Sequence, residues 1–238
     1  MMTLDETTLA NNIEKILKQD DLFGRRKIVS YLSSGNEDLD SMLGGGYKKG
    51  TLTEICGSSD TGKTLLALKA IKEAEKENKF TLYISPKSTL NTSMLKDNNI
   101  DSNKVSILYM NEADIISQIL TQVIKPYINN IGVIVIDSLA DLTTTKEKES
   151  SLKTNTSISR SKIIKALLTR LSNITRGTDT CVLIINQERN NFVDNEVKGT
   201  VSSSERWINM FCDTRVKLSK DENNDVYVDV KFKERKLI

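Results

Sequence analysis

The sequence predicts an α/β fold: a mainly parallel, twisted sheet flanked by helices and closing with antiparallel strands. Three observations carry this. Short apolar runs alternate with helix-period segments, the order that builds strand–helix–strand units. One run, "IGVIVIDS" at 131–138, is nearly all β-branched in its apolar positions, as in a strand buried on both faces of a parallel sheet. The last two runs, "TRVKLSK" and "DVYVDVKFK", are separated by the turn "DENND", which favours a hairpin.

Taken in order, Leu9, Ile13, Ile16 and Leu17 have the spacing of one apolar helix face, and "QDDLFGRR" then breaks the pattern. Residues 1–22 are therefore expected to form an N-terminal helix and linker, and 23–238 the main body. "TLTEIC" (51–56) is a strand that runs into a glycine-bearing loop, and "TLLALKAIKEAEKEN" behind it is a helix. "FTLYIS" (80–85) and "KVSILYM" (104–110) are further strands, and 111–125 is helical through Ala113, Ile116, Ile119, Leu120 and Val123. A stretch from Thr143 to Ser159 is too rich in Ser, Thr and Lys to pack. "SKIIKALLTRLSNIT" reads as a helix, "TCVLIINQ" (180–187) as a buried strand, and 188–204 as a second polar loop.

Composition narrows the chemistry. With 38% apolar and 28% charged residues in 238, the chain suits one globular domain with a real core. A net charge of +2 places any nucleic-acid surface locally rather than over the whole body. No apolar run is long enough to span a membrane, and the start shows no basic region followed by an apolar one. Cys56, Cys181 and Cys212 lack C-x-x-C spacing and read as reduced thiols of a cytoplasmic protein. Without any His, His-based catalysis and His-ligated metals are excluded.

"CGSSDTGKTLL" has the spacing G-x-x-x-x-G-K-[ST] and lies between a strand and a helix, the context this motif needs. The backbone N–H groups of about 58–64, with the helix N-terminus behind them, suit the phosphates of a nucleotide. Gly57 and Gly62 let the backbone curve. Ser58, Ser59, Asp60, Thr61 and Leu65 complete the nucleotide-contacting stretch, Lys63 meets the β/γ oxygens, and the Thr64 hydroxyl meets Mg²⁺. Asp137, ending "IVID", is the expected second Mg²⁺ group, and Ser138 beside it could orient a water or phosphate oxygen.

Four segments in order then resemble the RecA/RadA recombinase family: "SSGNEDLDSMLGGGYKKGTLTEICGSSDTGKT", "MLKDNNIDSNKVSILYM", "VIVIDSLADL" and "LIINQERNN". The resemblance implies a RecA-like P-loop NTPase core. It implies a DNA-dependent ATPase using ATP and Mg²⁺, with Lys63 and Gln187 catalytic and Gln187 sensing the γ-phosphate. It also implies two DNA-binding loops, 143–159 with Lys146, Lys148, Lys153 and Arg160, and 188–204 with Arg189, Phe192 and Lys198, followed by Arg206. Lys231 and Lys233, or with a two-residue slip Lys233 and Arg235, match the lysines that reach a neighbouring subunit's ATP. The N-terminal stripe resembles an element that docks on the adjacent subunit, and it could equally lie on its own domain.

The sequence departs from the family in three places. Lys87 stands where a Glu activates the attacking water, which implies slow hydrolysis unless another carboxylate such as Asp141 serves. Asn91 and Met94 stand where the family places an acidic and an aromatic residue against adenine. The chain stops at Ile238, just after the last core strand, so the resemblance is to compact, core-only members: phage recombinases, single-strand annealing proteins or RadB-like paralogues. The Asn-, Ser- and Lys-rich composition suits an AT-rich genome, such as a phage's. The reading is thus an ATP-dependent single-stranded-DNA-binding protein of recombination and repair, working by strand exchange or annealing in a prokaryotic or phage-infected cell. Its partners would be further copies in a filament or ring and a single-strand-binding protein or partner recombinase. A regulatory paralogue is the alternative, and a ring helicase core the third reading.

Overall fold

The computed structural model describes residues 29–145, 156–193, 196–202 and 204–233. The expected N-terminal helix lies outside them. A small antiparallel pair, β1 (Tyr31–Leu32) with β2 (Tyr47–Lys48), encloses α1 (Glu37–Met42). Gly46 is confined there by sterics: a Cβ would stand 2.4 Å from the Leu32 carbonyl oxygen.

The main sheet follows: β3 (Leu52–Gly57), β4 (Phe80–Ile84), β5 (Val105–Leu108), β6 (Ile131–Asp137), β7 (Cys181–Val193), β8 (Glu196–Ser202), β9 (Thr214–Lys220) and β10 (Val226–Phe232). Its order is β10-β9-β3-β7-β6-β4-β5, with β8 paired to β7. From β9 to β5 the neighbours are parallel, and β10 and β8 are the antiparallel additions. β3 and β6 are buried along their whole length, as central parallel strands require.

Strand periodicity divides the core between two faces. On one, Ile55, Tyr83, Val133, Val135, Leu183, Ile185 and Val216 pack with α1, α2 (Lys63–Lys76) and α3 (Thr92–Asp97). On the other, Leu52, Leu82, Ile134, Ile136, Val182 and Ile184 pack with α4 (Ala113–Ile119), α5 (Thr156–Thr175) and α6 (Glu205–Phe211). Among the described residues no helix is long and apolar enough to cross a membrane.

Two sequence expectations change. The polar segment 188–204 is not a loop over its described part: β7 continues to Val193 and β8 returns antiparallel, with Arg189 opposite Val201 and Val193 opposite Glu196. Phe192, Val193, Val197, Thr200 and Val201 are strand formers, and their number outweighs the polar residues between them. α5 also begins at Thr156, inside the first polar stretch, because Ser and Thr are tolerated in an opening helical turn.

Cys56, Cys181 and Cys212 are all buried. Burial pushes the Cys56 and Cys181 thiols up to about 12, and raises Cys212 as well. Only thiolates attack disulfide reagents. The native protein at about pH 8 is therefore expected to give no fast reaction with a chromogenic disulfide, and three equivalents once unfolded in guanidinium.

Candidate nucleotide site

β3 delivers the chain into the loop at Gly57, which lies beside Gln187 of β7 and Leu218 of β9. A Cβ on Gly57 would stand 2.3 Å from the Leu218 carbonyl oxygen, so the strand pairing itself demands glycine. Asp60 and Gly62 both take positive φ, at 61° and 89°, and turn the backbone round into α2. No side chain caps that helix, so its first N–H groups are left to face whatever occupies the loop. Thr61 Oγ1 donates to the Ser58 carbonyl at 3.0 Å, closing the loop on itself.

Lys63 is buried, and its Nζ donates to the Ser58 carbonyl with Thr61 Oγ1 at 3.5 Å. Burial pulls this ammonium below the ordinary lysine range, while Asp137 and Asp60 hold it up. Asp60, Gly62, Lys63, Thr64 and Leu65 line a cavity of about 330 Å³ over the helix start.

β6 brings Asp137 to the same edge, and the carboxylate is buried. Its Oδ2 accepts from Thr64 Oγ1 at 2.8 Å and from the Tyr83 hydroxyl at 2.7 Å. Burial first, and the carboxylate second, push the Tyr83 phenol above its ordinary range, so it remains a donor. Asp137 pairs in register with Ile185, two residues from Gln187, so Gln187 sits on the same edge as Gly57 and Asp137. These residues fit a magnesium nucleotide: an uncapped helix start, a glycine-only bend, a buried ammonium, and a hydroxyl–carboxylate oxygen pair.

Lys87 Nζ lies 2.5 Å from Asp141 Oδ1, and Ser138 Oγ donates to Asp141 Oδ2 at 2.6 Å. Ser138 is thus committed to Asp141. Asn91 caps α3, its side-chain oxygen accepting from the Met94 N–H at 3.0 Å, and Met94 packs half-buried against the α2-side core.

Lys231 and Lys233 do not gather at this edge. Lys231 lies opposite Arg215, and Lys233 donates its N–H to the Asp213 carbonyl and its Nζ to the Met210 carbonyl. β9 is parallel to β3, so these lysines sit about 10 Å or more down the strand from the Leu218–Gly57 contact, away from their own phosphate loop. Arg160 donates Nη2 to the Ala140 carbonyl at 2.6 Å, which leaves it less free for a phosphate. Arg206 is exposed and stacks on Trp207 at 4.9 Å, with Lys165 over the same ring at 5.0 Å. Arg189 and Phe192 lie in β7 and Lys198 in β8. Lys146, Lys148 and Lys153 lie outside the described residues.

The family described as the RecA N-terminal domain matches residues 8–235. The chain belongs to the RecA family. It is 32% identical to Protein RecA of Mycoplasma genitalium over 211 residues, covering 86% of this chain and 61% of that protein. Protein RecA of Mesoplasma florum is 29% identical over 212 residues (84% and 63%), and that of Macrococcus caseolyticus 31% over 191 (76% and 52%). The chain thus spans less than two thirds of the length of these RecA proteins.

Within this RecA-family core, sequence reasoning missed Tyr83. Its signal was a polar-tipped aromatic inside the apolar run "FTLYIS", which a buried position obliges to find a partner. Tyr83→Phe removes one of two donors from a buried carboxylate oxygen. It is expected to lower stability by about 1–3 kcal/mol, read as a lower denaturant midpoint at unchanged slope.

Proposed function

We propose that this chain binds ATP with Mg²⁺ at the 57–65 loop and, in that state, binds single-stranded DNA as an oligomer during homologous recombination, by strand exchange or annealing. The observation that carries the reading is the single edge on which Lys63, the Thr64–Asp137 pair and Gln187 meet, with Gln187 opening directly into the β7–β8 hairpin.

Lys63 would release the Ser58 carbonyl and turn to the β/γ oxygens, where a point charge outside bulk water acts strongly. Thr64 and Asp137 would hold the magnesium. Such an ion would supply positive charge against the phosphate oxygens. Gln187 would orient toward the γ-phosphate and set the start of the hairpin. Lys231 and Lys233 lie too far from their own loop to serve it, which supports their reading as groups offered to the next subunit. Arg189, Phe192, Lys198 and Arg206, with Lys146, Lys148 and Lys153, are the proposed DNA contacts through charge and stacking.

Among the described residues, the carboxylate beside Lys87 is Asp141. Asp141, the nearby candidate, has both carboxylate oxygens engaged, one by the Lys87 ammonium at 2.5 Å and one by the Ser138 hydroxyl at 2.6 Å. Hydrolysis is therefore slow, and binding rather than turnover governs the switch. This same pair favours the second reading, a regulatory paralogue that holds nucleotide without pairing DNA.

Binding of a labelled single-stranded oligonucleotide without nucleotide, with ADP and with a slowly hydrolysed ATP analogue tests the reading. Tight, salt-sensitive binding only with the analogue, lost in Lys63→Ala, is expected; nucleotide binding with no DNA binding in any state supports the paralogue. Lys87→Glu is expected to raise DNA-stimulated ATP turnover by about 10²-fold, measured as phosphate release, and an unchanged rate would remove the argument from the missing base.

A further inference from the structure

The face of the sheet turned away from the phosphate loop carries a chain of polar contacts inside an otherwise apolar layer. Glu54 of β3 is fully buried, yet both carboxylate oxygens are engaged. Asn186 Nδ2 donates to Oε1 at 2.9 Å, and Arg215 Nε donates to Oε2 at 2.6 Å. Asn186, also fully buried, accepts on its Oδ1 from the Gln187 N–H at 3.1 Å. Arg215 reaches outward with Nη1 to Asn209 Oδ1 at 2.9 Å and Glu205 Oε1 at 3.3 Å, both on α6. The path from the Gln187 backbone to α6 is therefore continuous, and crosses three adjacent strands.

Its two ends have a meaning in the chain. Gln187 immediately precedes the segment 188–204 and Glu205 immediately follows it. One hydrogen-bonded path thus grips both ends of the hairpin segment. A second rung lies beside it: Lys217 Nζ pairs with Glu188 Oε1 at 3.0 Å, and Cys56 Sγ donates to the same oxygen at 3.8 Å. α6 has no side-chain N-cap, and besides the core packing of Ile208 it is held by Arg215 and by the Trp207 Nε1 bond to Ser161 Oγ at 2.8 Å.

A buried ion pair adds little stability over a well-packed apolar group, because desolvation offsets the attraction. Its distinct property is direction. Glu54 receives at one oxygen from each neighbouring strand, so a shift in the Gln187 backbone changes the geometry at Asn186, then Glu54, then Arg215. Apolar side chains in the same places would transmit no such orientation.

We propose that Glu54, Asn186 and Arg215 are positioning residues that pass the state of Gln187 to α6, so that nucleotide binding sets both ends of the 188–204 hairpin together. This rests on the nucleotide-switch reading above for its use in DNA binding, but the coupling from loop to α6 stands apart from DNA. Trp207 is the chain's single tryptophan and lies on α6, so its emission reports the helix directly.

The test uses the full chain, with the double variant Glu205→Ala/Asn209→Ala and with Arg215→Lys. The double variant removes both acceptors that Arg215 has on α6, and Arg215→Lys keeps the charge for Glu54 but loses the fork. Expected results are a Trp207 emission change when the slowly hydrolysed ATP analogue binds the unaltered chain, loss of that change in both variants, and unchanged analogue affinity. The ratio of single-stranded DNA affinities with analogue and with ADP should fall about 5-fold or more in the variants. Should Arg215→Lys fail to fold, the double variant decides alone. If the emission change and the affinity ratio persist in the variants, with or without a lower melting temperature, the contacts are merely structural and the relay is wrong. An unaltered chain whose Trp207 emission ignores the analogue overturns it too. An emission change lost in the variants, in a chain that binds no DNA in any state, supports the relay and sinks the recombination reading.

Discussion

The site depends on how closely β3 is hemmed in. Its last residue, Gly57, is in register with Gln187 on one side and Leu218 on the other, and the Leu218 carbonyl leaves no space for a Cβ. That contact fixes where the phosphate loop leaves the sheet. It also fixes what stands next to it: the start of the β7–β8 hairpin on one flank and the β9–β10 pair on the other. A looser sheet edge could still carry the loop residues, but not in a set relation to Gln187.

Asp137 supplies the second constraint. By accepting from Thr64 and Tyr83 on one oxygen, it joins the first turn of α2 to β6 and β4. The helix whose uncapped N-terminus faces the loop is thereby tied to the sheet at its first turn. Lys63, held meanwhile on the Ser58 carbonyl, keeps a buried ammonium satisfied until a better acceptor arrives. The opposite face carries a separate polar path, which reaches the Gln187 backbone through Asn186.

Much of this was legible in the sequence because it is local. The strand–loop–helix around Lys63 follows from four glycine, lysine and threonine positions and their flanks, and the β-branched run 131–137 announces a central strand ending in Asp137. The closing hairpin was signalled by "DENND". The β7–β8 hairpin was not: its polar residues masked a strand pattern whose period is set by Phe192, Val193, Val197 and Val201. The helical turns of α1, α3 and α6 are too short to show a clear period, and their caps, such as Asn91, are distinguishable from other Asn residues only once the backbone is seen.

The sequence by itself determined the family, most of the order of elements and the glycine–lysine–threonine motif between β3 and α2, because each depends on residue type at a fixed spacing along the chain. Only the tertiary structure decided that Lys87 lies against Asp141, that Tyr83 shares Asp137 with Thr64, that Lys231 and Lys233 lie away from their own loop, and that Glu54 joins Asn186 to Arg215. Those facts are distances between residues far apart in the chain. They arise from strand order and register, which no local pattern encodes, since parallel neighbours are brought together by crossovers rather than by adjacency.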